Sequence, residues 1–242
     1  MKEYEEKKYP LEDDIGEIAL RWIAPPENPE LEIVNCAKVS YANQAEQMGE
    51  REAKLLRFLD EAGHVSPSYH PHISFRVKCP IFVAREYFRH EVGMSKNEIS
   101  QRYLELGKKF PLQFYVPEKF RAQSKHNKQA SNGAIQEQEA AKNAYVYLLQ
   151  QAAQTYEYMI KLGTSRELAR MALPLSTYTE FISTGSFAAF KHFIDLRMHP
   201  DAQQEIGKYA IAIYDMLLPH FPISLEKFKD RREQMEKIYA GS

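Results

Sequence analysis

Apolar side chains recur at every second place along GEIALRWIA (16–24), a period that predicts an early strand. Pro25, Pro26 and Pro29 end it. In LEIVNCAKVSY (31–41) the period lengthens: Leu31, Val34 and Ala37 recur at three residues, as on a helix. REAKLLRFLDEAGH (51–64) is amphipathic, with Leu55, Leu56 and Leu59 on one side and Gly63 as its stop. HPHISFRVKCP (70–80) alternates again, with Ile73, Phe75 and Val77 on one face. Pro80 then opens a helix at its first turn, where a missing N–H costs nothing. That helix runs through IFVAREYFRH (81–90) and breaks near Gly93.

PLQFYVP (111–117) reads as a short extended stretch between prolines, and 121–133 as a polar loop. A long helix is expected over about 134–162, with Ala140, Ala144, Tyr147 and Leu148 at helical spacing. SRELARMAL (165–173) begins with a capping serine and ends at Pro174. YTEFIST (178–184) predicts a strand, and 186–198, 201–217 and 224–239 predict helices. There is no internal repeat and no linker. The expected architecture is one α+β domain over 1–242, a central mainly antiparallel sheet packed by helices, including the long helix after the polar loop.

Of the 242 residues 44% are hydrophobic, enough to bury a sizeable core. The formal net charge of −1 provides no global field for nucleic acid, so an anion site must be a local cluster. Two cysteines, Cys36 and Cys79, make no disulfide framework and suit a reduced compartment. MKEYEEKKYPLEDD lacks the apolar core of a secretory signal, and no apolar run nears the ~18 residues of a membrane span. A soluble, cytoplasmic protein without membrane contact is expected.

The chemistry gathers in FRHEVGMSKNEISQRY (88–103). On a helix Arg85 shares a face with Arg89, and Glu86 with His90. Such pairs often mark a solvated face. Here Ile81-Phe82-Val83-Ala84 has no polar face at all, so the helix is buried at its start and polar at its end, as at the mouth of a core. Arginine forks bind phosphate in bidentate geometry, and carboxylates or amides bond hydroxyls and ring N–H groups. His64, His70 and His72 hint at a metal, but their spacing matches no ligand pattern and none is expected. Cys36 lies in an apolar-spaced helix and Cys79 beside Pro80; inert packing is expected of both. The ten glycines form no phosphate loop.

R-H-E-x-x-x-S-x-N-E-x-S-x-R-Y resembles the signature of the flavin-dependent thymidylate synthases, in which R-H-R stands first. FRVKCPIFVAREYFRH (75–90), ELARMALPLSTYT (167–179) and IDLRMHPDAQQEI (194–206) resemble further blocks of that family, so the similarity spans roughly 15–225. It implies methylation of dUMP to dTMP, with methylenetetrahydrofolate as carbon donor, NADPH as reductant, FAD as redox carrier and no cysteine nucleophile. It also implies a homotetramer with sites at subunit interfaces. Matched to the family, Glu86, Arg89, Glu98, Ser100, Gln101, Arg102, Arg170 and Arg197 are substrate contacts. Among these Ser100 lies beside the reactive edge of the base, Arg102 and Arg170 serve the nucleotide, and Arg197 favours ionisation at N3 of uracil; Ser100 and Arg197 are the catalytic candidates. Ser66, Arg89, His90, Glu91, Glu98, Ser186, Ala188 and His192 match the cofactor side.

The departures from the family are concentrated on that cofactor side, though on the substrate side Glu86 stands where the family usually has glutamine. Glu91 replaces the third residue of R-H-R, and the gap to Ser100 is one residue longer, with Gly93 inside it. Ser186-Phe187-Ala188 stands where Asn-x-Arg is common, and His192 replaces an asparagine. Each hydrogen bond to a charged group contributes ~1.5–3 kcal/mol. Two lost arginine contacts therefore cost roughly 3–6 kcal/mol, about two to four orders of magnitude in affinity. The nucleotide arginines are all present. Two alternatives stay open: a relative that modifies a pyrimidine nucleotide differently, for example by hydroxymethylation, and a catalytically weak nucleotide-binding homologue.

Overall fold

A computed structural model of the chain describes residues 7–124 and 131–240. The first six residues, which open the charged N-terminal stretch, lie outside the described residues. Strand β1 (Lys7–Lys8) is short; β2 (Glu17–Ala24) and β3 (His72–Pro80) are the long strands of the first half. Between them lie helices α1 (Pro29–Lys38) and α2 (Glu50–Glu61) and a 3-10 turn, Ser66–Tyr69. Helix α3 (Ile81–Phe88) follows β3, then β4 (Met94–Glu98), β5 (Arg121–Gln123) and β6 (Ser131–Ala134). Helices α4 (Gln138–Lys161) and α5 (Arg166–Ala169) precede β7 (Tyr178–Ser186). Helices α6 (Phe187–Arg197), α7 (Gln204–Leu217) and α8 (Lys229–Ala240) complete the chain.

Five strands form one antiparallel sheet in the order β1-β2-β3-β7-β4. The alternation expected of β3 is realised: Ile73, Phe75, Val77 and Cys79 are fully buried on one face. In β2 the pattern slips. A bulge between Leu20 and Trp22 shifts the register, so Ile18, Leu20 and then Ile23 point inward. Helices α3, α6 and α7 cover this face. Tyr87 of α3 packs edge-on against Phe181 of β7 at 5.0 Å and meets Phe193 of α6 at 4.7 Å; Phe75 meets Phe190 at 5.2 Å. Burial of this kind contributes ~25 cal/mol per Å² of apolar surface removed from water.

Three expectations are corrected. The stretch 121–133 does not remain a loop throughout: β5 and β6 pair antiparallel at its ends, while residues 125–130 lie outside the described residues. The Gln138 side chain clamps the pair, donating to Phe120 O at 2.7 Å and Ile135 O at 2.9 Å and accepting from Phe120 N at 2.8 Å. Residues 131–134 are taken up by β6 and Ile135 N donates to Phe120 O at 2.9 Å, so the long helix starts at 138 rather than 134. The helix after Pro80 ends at Phe88, before Arg89 and His90.

Helix α4 buries Leu149, Ala152 and Tyr156, not the apolar stripe noticed in the sequence. Ala140, Ala144, Tyr147 and Leu148 are exposed, and Tyr158 and Leu162 continue the same outer face, each more than half exposed. Among the described residues no helix is long and apolar enough to cross a membrane.

Candidate active site

Strand β7 and helix α6 form the floor of the site, because one runs directly into the other. Ser186 caps α6, its Oγ accepting from Ala189 N at 3.2 Å. At the opposite end of the helix Arg197 is the last residue. The α3 terminus lies against it. Arg197 Nε donates to His90 Nε2 at 2.9 Å, Nη1 pairs with Glu86 Oε2 at 2.8 Å, and Nη2 donates to Glu86 O at 3.3 Å. Every nitrogen of the guanidinium thus has a partner on the α3 end, and the group is held in one plane.

His90 is buried beneath this arginine, its ring 4.8 Å from Phe193 and 6.1 Å from His192. Burial, together with the positive charge of Arg197, lowers its pKa to about 4. His90 is therefore neutral at pH 7, with Nε2 free to accept from the arginine. The ammonium of Lys96 donates to His90 O, and burial lowers its pKa from the usual lysine range.

The segment SKNEISQRY, readable as a mixed-charge surface loop, starts as the edge strand β4, paired with β7 from Met94↔Gly185 to Glu98↔Phe181. Its charges suit an edge that must not pair further. Glu98 Oε1 accepts from Thr179 Oγ1 at 2.5 Å, and Ile99 N donates to Glu180 O at 2.9 Å. A turn follows, in which Tyr103 N and Leu104 N both donate to Ser100 O at 3.0 Å. Gln101 is buried there, with Nε2 unpartnered among the described residues. Arg102 is exposed, against the Tyr103 ring. Arg166 donates to Tyr103 O at 3.3 Å and so brings the α5 segment, with exposed Arg170 at its end, to this turn.

Two of the departures from the family signature meet in space. Ser186 N donates to Gly93 O at 3.0 Å. Gly93 has φ +73°, and a Cβ there would stand 3.1 Å from Ser186 Oγ and 3.2 Å from Ala189 Cβ. Opposite, a Cβ on Gly185 would stand 2.6 Å from Gly93 O. The extra residue before β4 and the serine at the head of α6 are one packed junction.

Glu86, His90 and Arg197 are thus brought together. Glu98, Ser100, Gln101 and Arg102 form a second group along β4 and its turn; Arg170 bonds Glu167 O at the end of α5, whose Arg166 reaches that turn. Arg89 and Glu91 are exposed at the end of α3. Ser66 is exposed on the 3-10 turn, and Ser186 is buried with its hydroxyl engaged as a cap. Ala188 and His192 line a cleft of about 260 Å³, with Leu59, Val65, Lys191 and Phe228 among its walls. Lys191 and Lys227 both pair with Asp60 there. A larger cavity, about 810 Å³, lies between residues 8–13, Tyr115–Arg121 and helices α7 and α8, and none of the expected site residues lines it.

Sequence reasoning missed Lys96, Thr179 and Arg166. Thr179 ends the block ELARMALPLSTYT and was legible as part of it; Lys96 and Arg166 carried no signal beyond charge.

Residues 22–223 match the family model described as thymidylate synthase complementing protein. The chain is 42% identical over 199 residues to a flavin-dependent thymidylate synthase of Thermus thermophilus, an alignment covering 82% of this chain and 71% of that one. It is 32% identical over 245 residues to the enzyme of the same name from Dictyostelium discoideum, covering 95% and 79%. Among solved structures, the UMP/dUMP methylase PolB from Streptomyces cacaoi bound with 5-Br dUMP superposes with a TM-score of 0.78 at 28% identity, covering 89% of this chain and 95% of that one.

Proposed function

The chain belongs to the thymidylate synthase complementing protein family, and from that premise we propose that it methylates dUMP to dTMP with the help of a flavin. The observation that carries the reading is the Arg197 guanidinium held by Glu86 and His90 at the meeting of α3 and α6. An arginine fixed in this way is a permanent cation with no reorganisation to undergo. Set against the uracil ring, it stabilises negative charge as N3 ionises. Ser100 serves the reactive edge of the base. Arg102 and Arg170, both exposed and on neighbouring segments, serve the phosphate.

When bound, a reduced flavin would supply the hydride that the methylation needs. The cleft beside α6 suits part of such a group: Leu59 and Val65 offer apolar walls, and Lys191, Lys227 and His192 offer donors. Its volume of about 260 Å³ lies below the ~300–1,000 Å³ typical of small-molecule sites, so one chain encloses only part of an FAD. The remainder falls to a neighbouring chain in the homotetramer that this reading includes. The outer face of α4 supports that assembly, since it exposes two apolar pairs, Tyr147 with Leu148 and Tyr158 with Leu162, separated by Gln151, Gln154 and Thr155. Methylenetetrahydrofolate as carbon donor, NADPH as reductant and the cytoplasm as the compartment complete the reading; two free thiols suit that compartment.

No cysteine does the chemistry. Burial raises the Cys79 thiol well above its ordinary pKa, and burial and Glu32 push Cys36 up to about 11. Neither is a thiolate at pH 7. The test is NADPH oxidation by the purified, flavin-loaded protein. The rate should rise on addition of dUMP; a rate indifferent to dUMP overturns the reading.

A further inference from the structure

The histidines His64, His70 and His72 do not assemble with one another. His64 lies with its ring 6.1 Å from that of Phe58, and His72 Nδ1 rests 2.9 Å from His70 O. His70 instead meets two residues of α1. Glu32 and Cys36 are one helical turn apart on the same face of that helix, and His70 ends the 3-10 turn packed against it. One carboxylate oxygen, one thiol sulfur and one imidazole nitrogen lie within 4.8 Å of one another.

We infer that Glu32, Cys36 and His70 form a binding site for a divalent, zinc-like cation, with water in the fourth position. The donor set is the argument. Sulfur, imidazole nitrogen and carboxylate oxygen together suit zinc, and three protein ligands with one open position are a recurrent zinc arrangement. The spacing agrees. Ligands on a tetrahedral zinc stand roughly 3.3–3.6 Å apart, given bonds of about 2.0–2.3 Å. Cys36 Sγ is already 3.5 Å from Glu32 Oε1, to which it donates. His70 is exposed while Glu32 and Cys36 are half-buried, so the fourth position faces solvent. With the three donor atoms already within 4.8 Å of one another, side-chain rotation would close the site.

Binding replaces the thiol proton with the metal. The sulfur–hydrogen bond breaks, the proton goes to solvent, and thiolate, carboxylate and neutral imidazole each give one electron pair to the ion. Because the thiol proton must leave, affinity rises about tenfold per pH unit through neutrality. The ion would pin α1 to the turn that carries Ser66 and Ser68 beside the α6 cleft. This site shares no residue with the proposed reaction and stands or falls apart from it.

The test uses Co²⁺ as probe on the metal-depleted, full-length protein, read as difference spectra against the metal-free sample. The expected result is one Co²⁺ per chain, with a sulfur-to-cobalt charge-transfer band and the visible bands of tetrahedral cobalt, displaced by equimolar Zn²⁺. Cys36→Ser should abolish the charge-transfer band, and His70→Gln should weaken binding about 100-fold or more. Cys79→Ala, altering a thiol buried in the sheet core, should leave the band in place. Zn²⁺ should raise the melting temperature of the parent protein and not of Cys36→Ser. No charge-transfer band in the folded parent, or the same band in Cys36→Ser, overturns the inference.

Discussion

Arg197 and His90 stand 107 positions apart in sequence, and Arg197 Nε donates to His90 Nε2 across 2.9 Å. The bond requires His90 to be unprotonated on that nitrogen. His90 is therefore a positioning residue for the arginine as well as a neighbour of the α6 cleft. Replacing Arg197 with alanine should lower kcat by about 10²–10⁴, the range seen when a preorganised transition-state donor is lost. His90→Gln, whose amide oxygen still accepts, should keep more activity than His90→Ala, with the loss in kcat rather than KM. Steady-state kinetics on the four proteins decides; equal activity of His90→Ala and His90→Gln would count against a positioning role.

The burial of His90, with the charge of Arg197 beside it, sets a pH dependence. The His90 pKa falls from 6.5 to about 4 on folding. Between these values the unfolded chain binds the extra proton and the folded chain does not, so stability falls as pH drops from about 6.5 towards 4. Above 6.5 this contribution is fully present. Denaturant midpoints measured across that window should decline for the parent and decline less steeply for His90→Gln. Parallel slopes would show that other groups carry the acid sensitivity.

Gly93 is the pivot where the longer loop enters β4. With φ at +73° and Ser186 Oγ and Ala189 Cβ in the way of a side chain, Gly93→Ala should cost about 1–2 kcal/mol from the backbone alone. Chemical denaturation measures it. A neutral substitution would mean that β4 and the head of α6 are not locked together.

The outer face of α4 makes a prediction about assembly. Leu148→Glu combined with Leu162→Glu should lower the mass measured by light scattering from a tetramer to a smaller species, while secondary structure is retained. These side chains are 53% and 65% exposed in the single chain, so a folding defect is not expected. A parent protein that runs as a monomer would contradict the proposal.

Much of the fold is legible because the pattern and the environment agree. Ile73, Phe75 and Val77 alternate and are buried together on one face. The polar edge strand β4 was not legible, because it is held by backbone bonds to β7 and buries no alternating face of its own. The stripe on α4 could be seen but not assigned, since an apolar helix face looks alike whether it meets a core or a second chain. At the site, the signature revealed the residue types. It could not reveal that Arg197 reaches back to Glu86 and His90, or that Gly93 packs on Ser186, because both relations depend on how β7 and α6 cross the end of α3.

Product identity tests dTMP formation by this chain most directly. Purified protein loaded with FAD should be given dUMP, NADPH and methylenetetrahydrofolate labelled in its methylene carbon, and the nucleotide product weighed by mass spectrometry, with UMP run in parallel. Labelled dTMP should form from dUMP with the parent, and about 10²–10⁴ times more slowly with Arg197→Ala. A labelled hydroxymethyl product, or dUMP bound tightly and recovered unchanged, would contradict it.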